Sequence, residues 1–241
     1  MCFTVNVNLI REELENRYGA NLIDPDKYRP SYYYHAFGLP RLPAICSGDT
    51  GHIRLLQWGL IPSWTRSLSD ANEIRYKTFN ARGESIFTKP SFKPSVSAKR
   101  CIIPVQGFYE WQHAGKEKLP WYIFNRNNEI MSLAGLFEDW TETGTGERFS
   151  TFTIVTTDAN ELMAEIHNSA KRMPVILARE TEEKWTDLNT PVEEALKLLI
   201  PCPPEILSAH TISPLISSRT AEKNVPEIIR PYTYAADNLL F

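Results

Sequence analysis

The residues able to do chemistry begin at the amino terminus, where Met1 is followed by Cys2. A small residue in second place lets methionine aminopeptidase remove Met1, which leaves a thiol and a free α-amine on adjacent carbons. In unperturbed peptides these groups ionise at about 8.5 and about 7.7–8.0. A 1,2-aminothiol condenses with an aldehyde through its amine and then closes a five-membered thiazolidine ring through its thiol. Cys2 could equally act as an N-terminal nucleophile whose own amine is the base, or be a buried, inert cysteine that happens to come second. Condensation needs proton transfers, and a carboxyl and an imidazole supply them best with pKa values near the working pH. Glu110 lies between Tyr109 and Trp111, with Phe108 on its own strand face. Burial there would raise its pKa toward neutrality; the plainer alternative is a salt-bridged glutamate on a strand edge. His167 falls at the expected end of a helix, where the dipole favours the imidazolium; the plainer alternative is a polar helix terminus.

The elements that would position these residues follow from the hydrophobic pattern. Phe3, Val5, Val7 and Leu9 alternate with Thr4, Asn6 and Asn8, which predicts a half-buried strand with Cys2 in phase with its polar face. Residues 11–18 read as a short helix closed by Gly19, and 24–43 as a long loop with extended pieces. Strands are expected at 53–58, 101–105, 107–111, 121–124, 131–136, 149–156 and 173–177. Asp158 and Glu161 form a capping box ahead of a helix that runs to about His167. Two more helices are expected near 181–186 and 191–199, and a proline-rich tail from Pro201 wraps the domain. With no internal repeat and no linker, the simplest reading is one α+β domain over 1–241 with a mainly antiparallel sheet.

Composition excludes several classes. At 241 residues, 42% hydrophobic and 23% charged, the chain is an ordinary globular one, and its net charge of −3 does not advertise nucleic-acid binding. No apolar run approaches a membrane span and no signal peptide is visible. Cys2, Cys46, Cys101 and Cys202 form no C-x-x-C pair and read as reduced thiols of a cytoplasmic protein. No metal site or nucleotide-binding loop is visible, so no cofactor is expected. Charge is nevertheless uneven: residues 65–100 carry eight cations against three anions, interleaved with aromatic residues that follow Trp64. Cations for phosphates and rings for bases suit a single nucleic-acid strand, although such a run is also what a solvated face looks like.

Four stretches carry a family resemblance: Met1-Cys2; Trp58-Gly59-Leu60-Ile61-Pro62-Ser63-Trp64 with Asn80-Ala81-Arg82-Gly83-Glu84; Arg100-Cys101-Ile102-Ile103-Pro104 with Gly107-Phe108-Tyr109-Glu110-Trp111; and Ile166-His167 with Arg172-Met173-Pro174-Val175-Ile176-Leu177. In this order they closely resemble the SOS response-associated peptidase (SRAP) family. The resemblance implies a bifurcated, barrel-like sheet and covalent capture of abasic sites in single-stranded DNA through Cys2. It implies that Glu110 contacts the cysteine amine and relays protons, and that Asn80 orients the cysteine and the sugar. On the same reading His167 could open the sugar ring as a general acid and help reverse the crosslink, Arg82 resembles the family's phosphate-binding arginine, and Arg172 is expected to be its counterpart. Trp64 is the stacking wedge, whereas Trp58 belongs to the core.

Two departures from the family pattern stand out. Phe3-Thr4 replaces the usual Gly-Arg, and about three extra residues precede Arg172, so that Lys171 could share its role. Alternatives to capture are a peptidase or amidohydrolase using the same cysteine, and a non-catalytic single-strand binding module. With only Met1 ahead of Cys2, autoproteolysis has little to remove. The expected unit is a monomer, with lyase activity and slow reversal as side reactions.

Overall fold

Near-continuous apolar runs such as 100–105 and 131–137 need cover on both faces, and the chain provides it by closing a barrel. The structure, a computed structural model, describes residues 2–234. Met1 and its expected removal, and residues 235–241 of the expected 1–241 domain, lie outside the described residues. In chain order the elements are β1 (Thr4–Val7), α1 (Arg11–Tyr18), β2 (Asn21–Leu22), β3 (Ser31–His35), β4 (Arg41–Cys46), β5 (Asp49–Trp58), α2 (Leu68–Ile74), β6 (Asn80–Arg82), α3 (Lys93–Ala98) and β7 (Arg100–Val105). There follow β8 (Gly107–Ala114), β9 (Glu117–Asn125), β10 (Met131–Thr141), β11 (Arg148–Asp158), α4 (Glu161–Ile166), β12 (Arg172–Pro174), β13 (Ile176–Leu177), α5 (Arg179–Thr186), α6 (Val192–Leu196) and β14 (Leu207–Thr211).

Strands β5, β4, β7, β10 and β11 pair in that order, and β11 returns to β5. Five strands of alternating direction cannot close without one parallel pair, and β11–β5 is that pair. Closure removes the free edges of this core. At the far end β10 and β11 part, and the fork is filled by β13 on β10 and β12 on β11. Gly135 stands where the two strands are still paired. A Cβ there would lie 2.9 Å from the Cys101 sulfur and 3.0 Å from the Thr153 carbonyl oxygen. The α+β class and the bifurcated, barrel-like sheet expected from the sequence are what the chain adopts. No helix among the described residues is long and apolar enough to cross a membrane.

A second sheet, ordered β14-β9-β8-β1-β3, carries the amino terminus. Here the alternation in β1 misleads. All four of its residues are buried and Cys2 is fully buried, so the thiol does not face solvent. The polar face of β1 meets a second cluster built from Tyr109, Tyr122 and the tail residues Ile212, Ile216 and Ile228. Asn6 Nδ2 donates to the Tyr122 hydroxyl at 2.9 Å. The tail thus covers β1, and its β14 extends the sheet through β9. Gly107 admits the Tyr122 ring, which a Cβ would meet at 2.4 Å.

Two local expectations change. The α4 helix is capped by Asn160, whose side chain accepts from the Met163 N–H at 2.9 Å, and not by Asp158, which turns to Arg172. The 24–43 stretch contains the extended pieces expected of it, β3 and the start of β4. The basic stretch also thins out. Arg100 is fully buried and donates to the backbone carbonyls of Trp185, Val96 and Asp187, as well as to those of Ser97 and Thr190. Arg75 is 4% exposed, and Lys99 is paired with Glu138. Arg100 therefore ties β7 to the α5–α6 segment and holds no phosphate. Arg100→Ala, which strands several buried carbonyls, should cost about 3–5 kcal/mol in urea unfolding. Arg82→Ala, on the surface, should change stability by no more than about 0.5 kcal/mol.

Candidate functional site

Cys2 is placed by its backbone. Asn80 Nδ2 donates to the Cys2 carbonyl at 2.9 Å, and the Ala36 N–H donates to the Phe3 carbonyl at 2.8 Å. Asn80 is itself held by the barrel. The Trp58 indole N–H donates to the Phe79 carbonyl at 2.9 Å, and β6 lies parallel to β11 with Asn80 level with Ile154. Trp58 is fully buried and stacks on Phe152 with centroids 5.7 Å apart, so it is a core residue that also fixes the site's asparagine. The buried Asn80 Oδ1 has no protein hydrogen-bond partner among the described residues, which leaves an acceptor beside Cys2.

Glu110 comes from the neighbouring strand. β1 and β8 are antiparallel with Val5 opposite Phe108, and continuing that register brings Phe3 level with Glu110. Its carboxyl is 4% exposed, and burial raises its pKa to about 7 from 4.5. Burial, and then the nearby Glu110 carboxylate, pushes the Cys2 thiol up as well. The thiol is therefore held protonated in this arrangement, which corrects the expectation of a group titrating near neutrality.

His167 closes the constellation. Its Nε2 lies 4.0 Å from Glu110 Oε2, within charge-coupling range. Its Nδ1 is 2.8 Å from the Arg172 carbonyl oxygen and 3.3 Å from the Arg172 backbone nitrogen, and from the shorter contact we assign the proton to Nδ1 and the lone pair to Nε2. Burial lowers the pKa of the imidazole, with the Arg172 hydrogen bond opposing. The helix-end expectation of a stabilised imidazolium therefore fails. The helix is one short turn and a half, and desolvation outweighs its dipole.

Cys2, Asn80, Glu110 and His167 are thus brought together, while the four DNA-facing candidates separate. Arg82 and Lys171 are exposed, Lys171 with a left-handed φ of 48°. Trp64 is 49% exposed, with its indole N–H donated to the Pro90 carbonyl at 3.1 Å. A cleft of about 300 Å³ lined by Asn80, Arg82, Ser85, Lys89, Pro90 and Phe92 leads away from the nucleophile. A larger cavity, of about 570 Å³, contains none of the four central residues. Arg172 is 7% exposed and well supplied with partners: both Glu84 oxygens at 2.9 Å, Asp158 at 2.8 Å and the Thr156 carbonyl at 2.9 Å. Its fork shapes the turn after Arg82 and supports His167 through its own backbone. Glu84 and Asp158 were not identified as parts of the site from the sequence; the only signal was Glu84's place two residues after Arg82. The extra residues before Arg172 form a docked loop, in which Asn168 exchanges hydrogen bonds with the His113 backbone at 3.0 and 2.9 Å. Among the described residues no group of three or more His, Cys, Asp or Glu side chains is placed to hold a metal ion.

The family model "SOS response associated peptidase (SRAP)" matches residues 1–219. The chain belongs to the SRAP family. It is 38% identical over 208 residues to the abasic site processing protein YoqW of Bacillus subtilis, covering 86% of this chain and 88% of that one. It is 34% identical over 197 residues to the abasic site processing protein HMCES of Gallus gallus, covering 73% of this chain and 56% of that one. A solved Bacteroides thetaiotaomicron protein superposes with a TM-score of 0.90 at 37% identity, over 96% of this chain and all of the other. Within this SRAP chain the Phe3-Thr4 departure has a local explanation. Phe3 packs on Phe37 and Phe79 with centroids 5.8 and 6.2 Å away, and Thr4 is fully buried, so position 4 offers no cation to a ligand.

The raised Glu110 carboxyl has a sign that can be tested. Its contribution to stability is full below about pH 4.5 and is lost as pH rises through about 7. Glu110→Gln removes that titration. The variant should gain on the parent protein by on the order of 3 kcal/mol between about pH 4 and about pH 8, read from urea midpoints. Parallel pH profiles for the two proteins would show a carboxyl that titrates normally.

Proposed function

We propose that this protein acts in the DNA-damage response by capturing abasic sites in single-stranded DNA through Cys2, after removal of Met1, as a monomer. The observation that supports the reading most is the convergence of the buried Cys2, a carboxyl whose pKa burial raises to about 7 and an imidazole whose pKa burial lowers. The ring-opened abasic sugar presents an aldehyde at C1′. The Cys2 amine adds to that carbon, with Glu110 accepting the amine proton. Before that addition, as the sugar ring opens and the C1′–O4′ bond breaks, His167 Nε2 relays the proton lost by the C1′ hydroxyl to O4′. Glu110 returns the amine proton to the alkoxide oxygen, giving the carbinolamine, and then relays the remaining N–H proton to the same oxygen, so that water leaves and an imine forms. The thiol then adds to C1′, its proton passing to the imine nitrogen, so that one water is released per thiazolidine. Asn80 Oδ1 is the acceptor for a sugar hydroxyl, and Arg82 and Lys89 meet flanking phosphates.

The same imine permits strand cleavage by β-elimination, and the same acids permit slow reversal. Amide hydrolysis is the less favoured reading, because an attacking thiolate is opposed by a thiol that burial pushes up. A non-catalytic module would leave the Glu110–His167 pair without a task.

The test is a denaturing gel of protein whose Met1 loss is confirmed by mass, mixed with single-stranded DNA carrying one abasic site. A heat-resistant slow band is expected, absent in Cys2→Ala while reversible binding persists. His167→Ala should slow its formation by about 10²-fold. No band from protein with Cys2 at its amino terminus would remove the reading.

A further inference from the structure

A row of aromatic rings starts beside the site, and none of its four members lines the Arg82 cleft. Tyr33 and His35 lie two residues apart on β3, an edge strand, and so share a face. Their rings are 6.0 Å apart and nearly parallel, at 9°. His35 stacks in turn on Phe37 at 5.5 Å and 27°, and Phe37 meets Tyr76 at 6.3 Å. Phe37 is 54% exposed and Tyr76 is 47% exposed. Two contacts place the inner end of the row at the nucleophile. Phe37 rests on Phe3, the residue after Cys2, and on Phe79, the residue before Asn80, at 5.8 and 5.0 Å. At the outer end the Lys223 ammonium sits 4.9 Å from the Tyr33 centroid.

A packing role alone does not account for the row. Aromatic side chains gain stability by covering their area, yet Phe37 and Tyr76 leave about half of theirs in water beside a reactive residue. Exposed rings near a cation and continuous with a pocket for a base-free sugar are the features of a surface on which unpaired bases stack.

We propose that Tyr33, His35, Phe37 and Tyr76 form a stacking platform for the unpaired bases flanking the abasic nucleotide on one side, while the Arg82–Lys89 cleft tracks phosphates on the other. The inference rests on the capture reading above and adds a polarity to it. One arm of the strand is held mainly by charge and the other mainly by base stacking. Phe3 and Phe37 together anchor the second arm, and this is where the chain invests the bulk it places after Cys2.

The test uses reversible binding, so that it stands apart from capture. The probe is a single strand with a central tetrahydrofuran, an abasic analogue without an aldehyde, measured by fluorescence anisotropy. In two further strands the two bases on one or the other side of it are replaced by base-free spacers. The parent protein should lose about 10-fold in affinity with spacers on one side and little on the other. Phe37→Leu and Tyr76→Leu, which keep apolar packing but remove the ring, should each weaken the fully based strand by about 5- to 10-fold. They should add no further loss on the one-sided spacer strand, and the salt dependence should keep its slope. Equal affinity of the parent protein for all three strands would overturn the platform, and that comparison needs no variant. A concentration-dependent dimer of the parent, abolished by Phe37→Leu in sedimentation, would overturn it too, by assigning the row to a second copy of the chain. A protein that fails to capture a real abasic site yet shows the one-sided loss would refute capture and leave the platform standing.

Discussion

The carboxyl of Glu110 is held out of water next to Cys2, and much of the structure serves to keep it there. A carboxylate so enclosed is costly, and the molecule meets the cost by letting the group hold its proton until about pH 7. That enclosure needs β8 paired with β1 on one side and β9 on the other. It also needs the barrel to present Asn80 to the Cys2 carbonyl. Neither sheet alone makes the site. One supplies Cys2 and Glu110; the barrel and its fork supply Asn80, His167 and Arg172.

Enclosure also decides which charges do chemistry and which do carpentry. Arg172 and Arg100 are cations in sequence stretches that point to phosphate, yet both are spent within the protein. Arg172 holds Glu84 and Asp158, and Arg100 holds a set of backbone carbonyls. The cations that remain at the surface, Arg82 and Lys89 among them, line the cleft that leads from Asn80. A guanidinium whose terminal nitrogens are already engaged by internal acceptors is not placed to grip a phosphate, whatever its neighbours in sequence.

What could be read from the sequence, and what could not, follows from the range of the interactions involved. The strands around Glu110, the Gly19 helix stop and the burial of Trp58 depend on local pattern, and they are found as expected. The burial of Glu110 was legible because its apolar neighbours are adjacent in the chain. The burial of Cys2 was not, because Cys2 belongs to the main core, whose members, Phe79, Phe108 and Ile166 among them, are distant in the chain. The His167 protonation state departs from its local reading for a similar reason: the dipole of a short helix is visible in sequence, whereas desolvation by the surrounding fold is not. Closure of the barrel through the parallel β11–β5 pair is likewise a long-range event that no window of sequence reports.

The central claim is that Glu110 exchanges the proton of the Cys2 amine at near-neutral pH, and the pH–rate profile of capture tests it most directly. Single-turnover crosslinking to an abasic strand should rise with pH through an inflection near 7. In Glu110→Gln that inflection should disappear and the remaining rate should follow the amine alone. An inflection near 7 that survives unchanged in Glu110→Gln would contradict the account and move the proton transfer to another group.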